Sequence, residues 1–362
     1  MTILAIFVIV FSLIQLLIAV VNLIFSQRLS RAGQFKSLIS VLIPARNEEQ
    51  NIGNLLNDLL MQEYINIEII VFNDQSTDNT AAAVEEIAAK DTRVKLIHSA
   101  GLPTGWLGKN HGCHQLATQA KGLYLLFLDA DVRISGNVIP KTIDFAEKHN
   151  LGLLSVFPRQ LMKTTGEKMT VPVMNYILLT LLPLVLVRTT RFSSLAAANG
   201  QFMLFNTEIY KQTLPHEKMK ADKVEDIKIA RFYKSEGIKT ACLSSKPDIS
   251  CRMYSRFSEA VHGFSKNVGQ FFGNSLLVAS GFWLITSFGF LPVLIALPTA
   301  VFLAYLAVLL MIRVIVSAAG NQNVAENLLY FIPQQVALGL YIFKAIINRY
   351  QKSYEWKGRK IA

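Results

Sequence analysis

A chain of 362 residues with 52% hydrophobic and 17% charged composition and a net charge of +11 carries more apolar material than an ordinary globular domain needs. It is too long for one small fold and reads as a globular domain joined to membrane segments. The basic balance does not indicate nucleic acid, because the Lys and Arg residues are dispersed and no nucleic-acid motif accompanies them; attraction to an anionic inner leaflet explains it better.

Ile3 to Phe25 is an almost uncharged run, interrupted only by Ser12, Gln15 and Asn22, and is long enough to cross a bilayer. No basic residue precedes it and no small-residue cleavage site follows it, so residues 1–26 are expected to form an uncleaved anchor. Arg28, Arg31 and Lys36 come next and place the following domain in the cytoplasm, as part of a multi-pass protein of the cell membrane. Cys113, Cys242 and Cys251 are odd in number and widely spaced, which favours reduced thiols over a disulfide framework.

From Leu38 to Leu128 short β-rich runs alternate with helical stretches. Strands are expected at Leu38 to Ile43, Ile67 to Phe72, Val94 to His98 and Gly122 to Leu128, with helices at Asn51 to Met61, Asp78 to Ala89 and Asn110 to Ala120. This order predicts an α/β fold, a mostly parallel sheet with helices on both faces. In open sheets of that kind the ligand sits beyond the carboxyl ends of the strands. Three polar segments each follow a strand directly: Pro44-Ala45-Arg46-Asn47-Glu48-Glu49, Asn73 to Asp78, and Asp129-Ala130-Asp131.

The chemistry of these loops suits a nucleotide. Asp74 can accept hydrogen bonds from a base or ribose, while Arg46 and Lys109 can face phosphate. Glu48 and Glu49 equally suit a helix start, and Asp78 reads best as an N-cap. Asp129 and Asp131, two apart at a strand end, point the same way. Oxygen ligands at that spacing suit Mg²⁺ or Mn²⁺, which neutralises a nucleotide diphosphate as it departs. Further along, Asn199-Gly200-Gln201-Phe202-Met203-Leu204-Phe205 reads as another buried strand. Val224-Glu225-Asp226-Ile227 opens an amphipathic helix running through Tyr233 toward Gly237, where acids also simply favour the helix dipole.

Taken in order and spacing, the three polar segments resemble glycosyltransferase family 2, whose members have a GT-A nucleotide-sugar domain. The resemblance implies a donor site at Pro44, Ala45, Arg46, Glu48, Asp74, Lys109, Asp129, Ala130 and Asp131, with the metal at Asp131 and Asp129. It implies that Asp226 is the catalytic base, with Glu225 beside it. Gly105-Trp106-Leu107-Gly108-Lys109, Arg252-Met253-Tyr254, Gly263 to Asn267 and Trp356-Lys357-Gly358-Arg359 are similar to membrane members that glycosylate carotenoid acids or act near hopanoid synthesis. The processive synthases' Gln-x-x-Arg-Trp is replaced here by Arg252-Met253-Tyr254-Ser255-Arg256-Phe257. Candidate acceptor or phosphate contacts are His216, Gln201, Arg252, Arg256 and Lys266, although His216 reads by default as a surface histidine in a polar loop.

Ser275 to Val316, broken near Pro292 and Pro298, is long enough for two helices. Leu328 to Ile347 is a third candidate, weakened by Pro333, Gln334 and Gln335. Spanning parity puts the tail outside, whereas Lys344, Arg349, Lys352, Lys357, Arg359 and Lys360 favour a cytoplasmic tail and a re-entrant last segment. Val171 to Val187, with Pro172 and Pro183, fits a core helix or an interfacial segment equally. The expected domains are thus an anchor at 1–26, a GT-A domain at 36–270 holding the segment 171–187, membrane segments at 275–347 and a basic tail at 348–362.

The resulting expectation is a metal-dependent, inverting glycosyltransferase moving a hexose, with UDP-glucose the favoured donor, to a carotenoid or other terpenoid acceptor. A polyprenyl phosphate or diacylglycerol acceptor is the alternative within the enzyme class. A catalytically silent membrane scaffold is the alternative outside it.

Overall fold

A computed structural model describes residues 1–27, 29, 35–64, 66–244, 247–351, 354–356 and 359–361. Arg28, Arg31, Lys352, Lys357 and Gly358, which entered the reading of topology and resemblance, lie outside the described residues. The chain divides into two compact units. One comprises 27–159 and 184–251; the other comprises 1–26, 160–183 and 252–362.

The first unit is built on a seven-stranded sheet. Its strands are Ile39–Ala45 (β1), Ile67–Asn73 (β2), Val94–His98 (β3), Tyr124–Leu128 (β4), Leu153–Phe157 (β5), Phe202–Asn206 (β6) and Thr240–Ser244 (β7), in the order β3-β2-β1-β4-β6-β5-β7. The pairing is parallel except where β6 inserts antiparallel between β4 and β5. β1, β2 and β4 are buried nearly throughout, which explains their continuous apolar runs. Helices Ile52–Leu60 and Thr80–Ala88 connect the early strands, and the first buries Ile52, Leu55, Leu56 and Leu59 in one stripe. Each such side chain contributes roughly 1.5–3 kcal/mol by leaving water. Helix Gly108–Gln119 covers the opposite face through Cys113, Leu116 and Ala117.

At the amino ends of the strands a polar chain crosses the sheet. Ser40 donates to Glu68 (2.6 Å), Lys121 N–H donates to the same carboxylate (2.7 Å), and Gly122 N–H donates to Ser40 Oγ (2.8 Å). Gly122 has no room for a side chain, since a Cβ would lie 2.4 Å from Ser40 N.

Several expectations shift. β6 starts at Phe202 rather than Asn199, because the backbone before it bonds elsewhere. Asn199 N–H donates to Ser155 Oγ (2.7 Å), and Gln201 N–H donates to Asn199 Oδ1 (2.8 Å). Helix Thr80–Ala88 starts just after Asp78, whose carboxylate accepts from Thr80 N–H (3.0 Å). β5 and β7 were not anticipated in the sequence. All three cysteines are free and buried.

The second unit is helical. By length and composition, Thr2–Ile24 and Thr299–Ala319 can cross a membrane, and a third span would arise if the pair Phe257–Phe272 and Leu276–Phe288, bent by 98°, were one span. The stretch expected as two helices is thus Leu276–Phe288, Phe290–Ala296 and Thr299–Ala319. Phe331–Gln351 is a single 21-residue helix. Pro333 falls in its first turn, where no intrahelical N–H is needed. Helix Pro172–Leu181 begins on its proline and ends at Leu182, whose backbone is extended as the following Pro183 demands. Arg313 is buried here (5% exposed) against the ring of Tyr176, 3.8 Å away, and donates to Gln334 Oε1 (3.1 Å).

Candidate active site

Asp74, Asp129 and Asp131 leave the sheet at its carboxyl edge. Pro44 brings no N–H to β1, and the β1–β4 pairing stops at Leu42–Phe127, which frees Asp129 to turn away. Asp129 N–H instead donates to the Gln201 carbonyl (3.2 Å) and Asp74 N–H to the Ala45 carbonyl (2.8 Å).

The loops after β1 and β2 hold each other. Arg46 Nη1 donates to the carbonyls of Asp74 (2.6 Å) and Gln75 (3.0 Å). Asn47 N–H donates to Ser76 Oγ (3.1 Å), Thr77 N–H to Asn47 Oδ1 (2.9 Å), and Glu48 N–H to Thr80 Oγ1 (2.7 Å). Asn47 adopts positive φ (53°), which asparagine tolerates. The Arg46 guanidinium therefore shapes the loop that carries Asp74. Beside this loop lies a cavity of about 490 Å³ lined by Phe72, Ile97, His98, Leu102, Pro103 and His111. Burial, and then the neighbouring charge of His114, lower the His111 imidazole pKa even though Asp74 opposes them.

The chemical centre is a cluster around Lys109, in the first turn of helix Gly108–Gln119. Its ammonium lies 2.8 Å from Asp129 Oδ1, 3.0 Å from Asp129 Oδ2, 3.4 Å from Glu225 Oε1 and 3.4 Å from the Gly200 carbonyl. Burial alone would favour the neutral amine, but the charges of Asp129 and Glu225 keep Lys109 protonated well above the usual lysine range. Glu225 and Asp226 open helix Glu225–Ser235. Asp226 Oδ2 accepts from Gly200 N–H (2.9 Å) and Oδ1 from Ile227 N–H (2.8 Å). Burial first, and then the Glu225 charge, push the Asp226 carboxyl up to about 7, against the pull of Lys109 and the two backbone donors. A carboxylate tuned near neutrality is what a general base needs.

Gly200, missed in the sequence, leaves little room for a side chain beside the cluster: a Cβ there would lie 2.9 Å from Lys109 Nζ and 3.3 Å from Glu225 Oε1. Gln201 is buried, with Nε2 2.8 Å from Cys251 Sγ and 3.5 Å from Asp131 Oδ1. His216 is not on the surface. It is 2% exposed, hydrogen-bonded to Tyr210 Oη (2.8 Å) and packed on Phe127 with centroids 4.8 Å apart. Burial, then the charges of Lys109 and His114, drive its pKa down to about 3, so it serves as a neutral core residue. Arg252, Arg256 and Lys266 belong to the second unit. There Arg252 Nε donates to the buried Glu167 (2.7 Å), and Arg256 is exposed at the start of helix Phe257–Asn267.

Asp129 and Asp131 offer oxygen donors that suit a hard divalent cation. No group of three or more His, Cys, Asp or Glu side chains is arranged to hold a metal among the described residues. A pair of carboxylates completed by phosphate oxygens and water fits Mg²⁺ or Mn²⁺ better than an all-protein cage does.

Residues 40–214, just under half of the chain, match the family described as glycosyl transferase family 2, and with the relatives that follow the match supports a glycosyltransferase. Relatives to which the chain is similar include two 4,4'-diaponeurosporenoate glycosyltransferases. That of Staphylococcus haemolyticus is 27% identical over 66% of this chain and 63% of its own length. That of Staphylococcus aureus (strain MRSA252) is 29% identical over 69% of this chain and 66% of its own. The match thus spans somewhat under two thirds of these relatives. Among solved structures, the mannosyltransferase PcManGT from Pyrobaculum calidifontis, in complex with GDP-Man and Mn²⁺, superposes with a TM-score of 0.51 at 17% identity, covering 96% of this chain and 99% of that one. That likeness concerns the fold, which is GT-A-like: mixed α/β with a mainly parallel sheet.

Proposed function

We propose that this chain transfers a hexose from a nucleotide-diphosphate sugar to a hydrophobic acceptor, with inversion at the sugar carbon, and that the acceptor is a carotenoid acid or related terpenoid. The observation that carries the reading is the cluster in which Lys109 joins Asp129 to the acid pair Glu225–Asp226. That cluster supports the reading because it joins a cation able to face phosphate to a carboxyl able to act as a base for the acceptor. The acceptor class comes from the relatives named for diaponeurosporenoate, and UDP-glucose remains the favoured donor.

In this reading the base of the donor lies by Asp74 and the cavity lined by Phe72 and His111. Asp129 and Asp131 would hold Mg²⁺ or Mn²⁺, which neutralises charge on the departing diphosphate. Lys109 adds a second positive charge there. Asp226 takes the proton of an acceptor hydroxyl, or orients an acceptor that arrives as a carboxylate. The backbone N–H groups of Gly200 and Ile227 fix its direction.

We further propose that Thr2–Ile24 anchors the chain, that further segments within 275–347 enter the membrane, and that the catalytic domain and the basic tail are cytoplasmic. An acceptor presented from the leaflet would then need only its polar end to reach water. Membranes containing the chain, incubated with a panel of nucleotide sugars and total lipid extract, should yield a glycosylated terpenoid by mass spectrometry. A glycosylated polyprenyl phosphate or diacylglycerol instead would overturn the acceptor assignment, and no turnover with any donor would overturn the enzymatic one.

A further inference from the structure

We infer that Lys109 makes divalent-cation binding at Asp129 and Asp131 conditional on the donor's diphosphate, by holding the Asp129 carboxylate until phosphate oxygens draw the ammonium away. The inference rests on the nucleotide-donor reading above. Both oxygens of Asp129 already face Lys109 Nζ, at 2.8 and 3.0 Å, so a cation joining Asp129 would lie within a few ångström of an ammonium, roughly the range where like charges repel strongly at low effective dielectric.

Nor does the lysine swing freely. Glu225 and the Gly200 carbonyl also lie 3.4 Å from it, and its side chain is 25% exposed. Its backbone sits in the first turn of a helix that is tied in place by Leu107 N–H donating to the Lys220 carbonyl (2.8 Å). The second observation is the ligand count. Among the described residues no three His, Cys, Asp or Glu side chains are grouped to hold a metal ion, so a cation arriving alone would find at most two carboxylates and would depend on other ligands for the rest of its shell. The diphosphate resolves both difficulties. It offers anionic oxygens that compete for the ammonium, and it contributes the missing ligands.

The experiment is Mn²⁺ titration of the purified full-length chain in detergent, followed by electron paramagnetic resonance, with no nucleotide, with UDP and with GDP; nucleotide-only solutions correct for chelation. Wild type should bind Mn²⁺ weakly alone and more tightly with nucleotide, by about 5- to 150-fold, the usual span of coupling between sites. Lys109→Met should bind Mn²⁺ alone more tightly than wild type. Lys109→Gln serves the same purpose if the methionine variant does not fold, and the wild-type comparison stands without either. Equal Mn²⁺ affinity of wild type with and without bound nucleotide, or unchanged Mn²⁺ affinity in the lysine variants, would overturn the inference. Nucleotide binding is measured separately by equilibrium dialysis. Absence of both UDP and GDP binding would sink the donor reading itself, whereas nucleotide binding without coupling sinks only the role of Lys109.

Discussion

The backbone N–H of Gly200 donates to Asp226 Oδ2 at 2.9 Å, so the carboxyl proposed as the base is aimed by the turn that leads into β6 as well as by its own helix. The same glycine offers its carbonyl to Lys109. One residue without a side chain therefore touches both the Lys109 ammonium and the carboxyl proposed as the base.

Gly200→Ala tests that arrangement. Its Cβ would lie 2.9 Å from Lys109 Nζ, the far end of a flexible side chain, so the fold should survive with thermal stability close to wild type. The ammonium must move off its present contacts, and turnover should fall at least about tenfold, the effect of about 1.4 kcal/mol in the barrier. Wild-type turnover in a correctly folded variant would show that this contact is irrelevant to chemistry.

Asp226→Asn should lower turnover on a hydroxyl acceptor by about two to four orders of magnitude while donor affinity stays nearly unchanged. The raised pKa sets the sign of the pH dependence. Below about 7 the carboxyl is protonated and cannot accept a proton, so kcat should decline on the acid side with a limb near that value. A carboxylic acid acceptor, already ionised, should show a much weaker limb. Retention of the full limb in the Asp226→Asn variant would move the base elsewhere, with Glu225 next in line.

Asp131→Asn should remove most activity without releasing the chain from membranes, and chelation of divalent cations should abolish wild-type turnover reversibly. Full activity in excess chelator is the outcome incompatible with a metal at this pair.

His216→Ala should cost about 3 kcal/mol, from the lost ring packing and the stranded Tyr210 hydroxyl. Melting in detergent should show the loss while the KM for donor and acceptor stays near wild type. A selective rise in acceptor KM with an unchanged melt would restore the acceptor contact expected from the sequence.

A tag placed near Asn150, the left-handed residue that ends helix Val138–His149, should be protected from an impermeant reagent in intact cells. Labelling without lysis would reverse the proposed orientation.

How much of this was legible depended on whether a signal was local. β1, β2 and β4 with their following polar loops could be read because buried parallel strands leave continuous apolar runs, and Asp74, Asp129 and Asp131 fall directly after them. The pairing of Lys109 with Asp129, twenty positions on, could not be read from sequence, since it depends on how helix Gly108–Gln119 meets the end of β4. Gly200 looked like an ordinary strand residue because its importance lies in the absence of a side chain. His216 was misplaced because a Pro-His-Glu-Lys run looks solvated, while the left-handed turn at Leu214 directs the imidazole into a cage of Phe127, Phe205 and Tyr210.

The polar chain of Ser40, Glu68, Lys121 and Gly122 bears on how the sheet assembles. Its strands are laid down in an order that differs from their order in space, so each must find a partner far along the chain in the correct alignment. A slip of one residue would turn apolar faces outward and would strand the buried Glu68 carboxylate, 7% exposed, without its donors. This check on alignment lies at the end of the sheet remote from the proposed site. Because β1, β2 and β4 are rigid parallel rods, fixing their amino ends fixes the relative heights at which Ala45, Asp74 and Asp129 emerge. A substitution such as Ser40→Ala would therefore be felt as a blurring of the proposed donor site, many residues away from the groups proposed to meet the nucleotide.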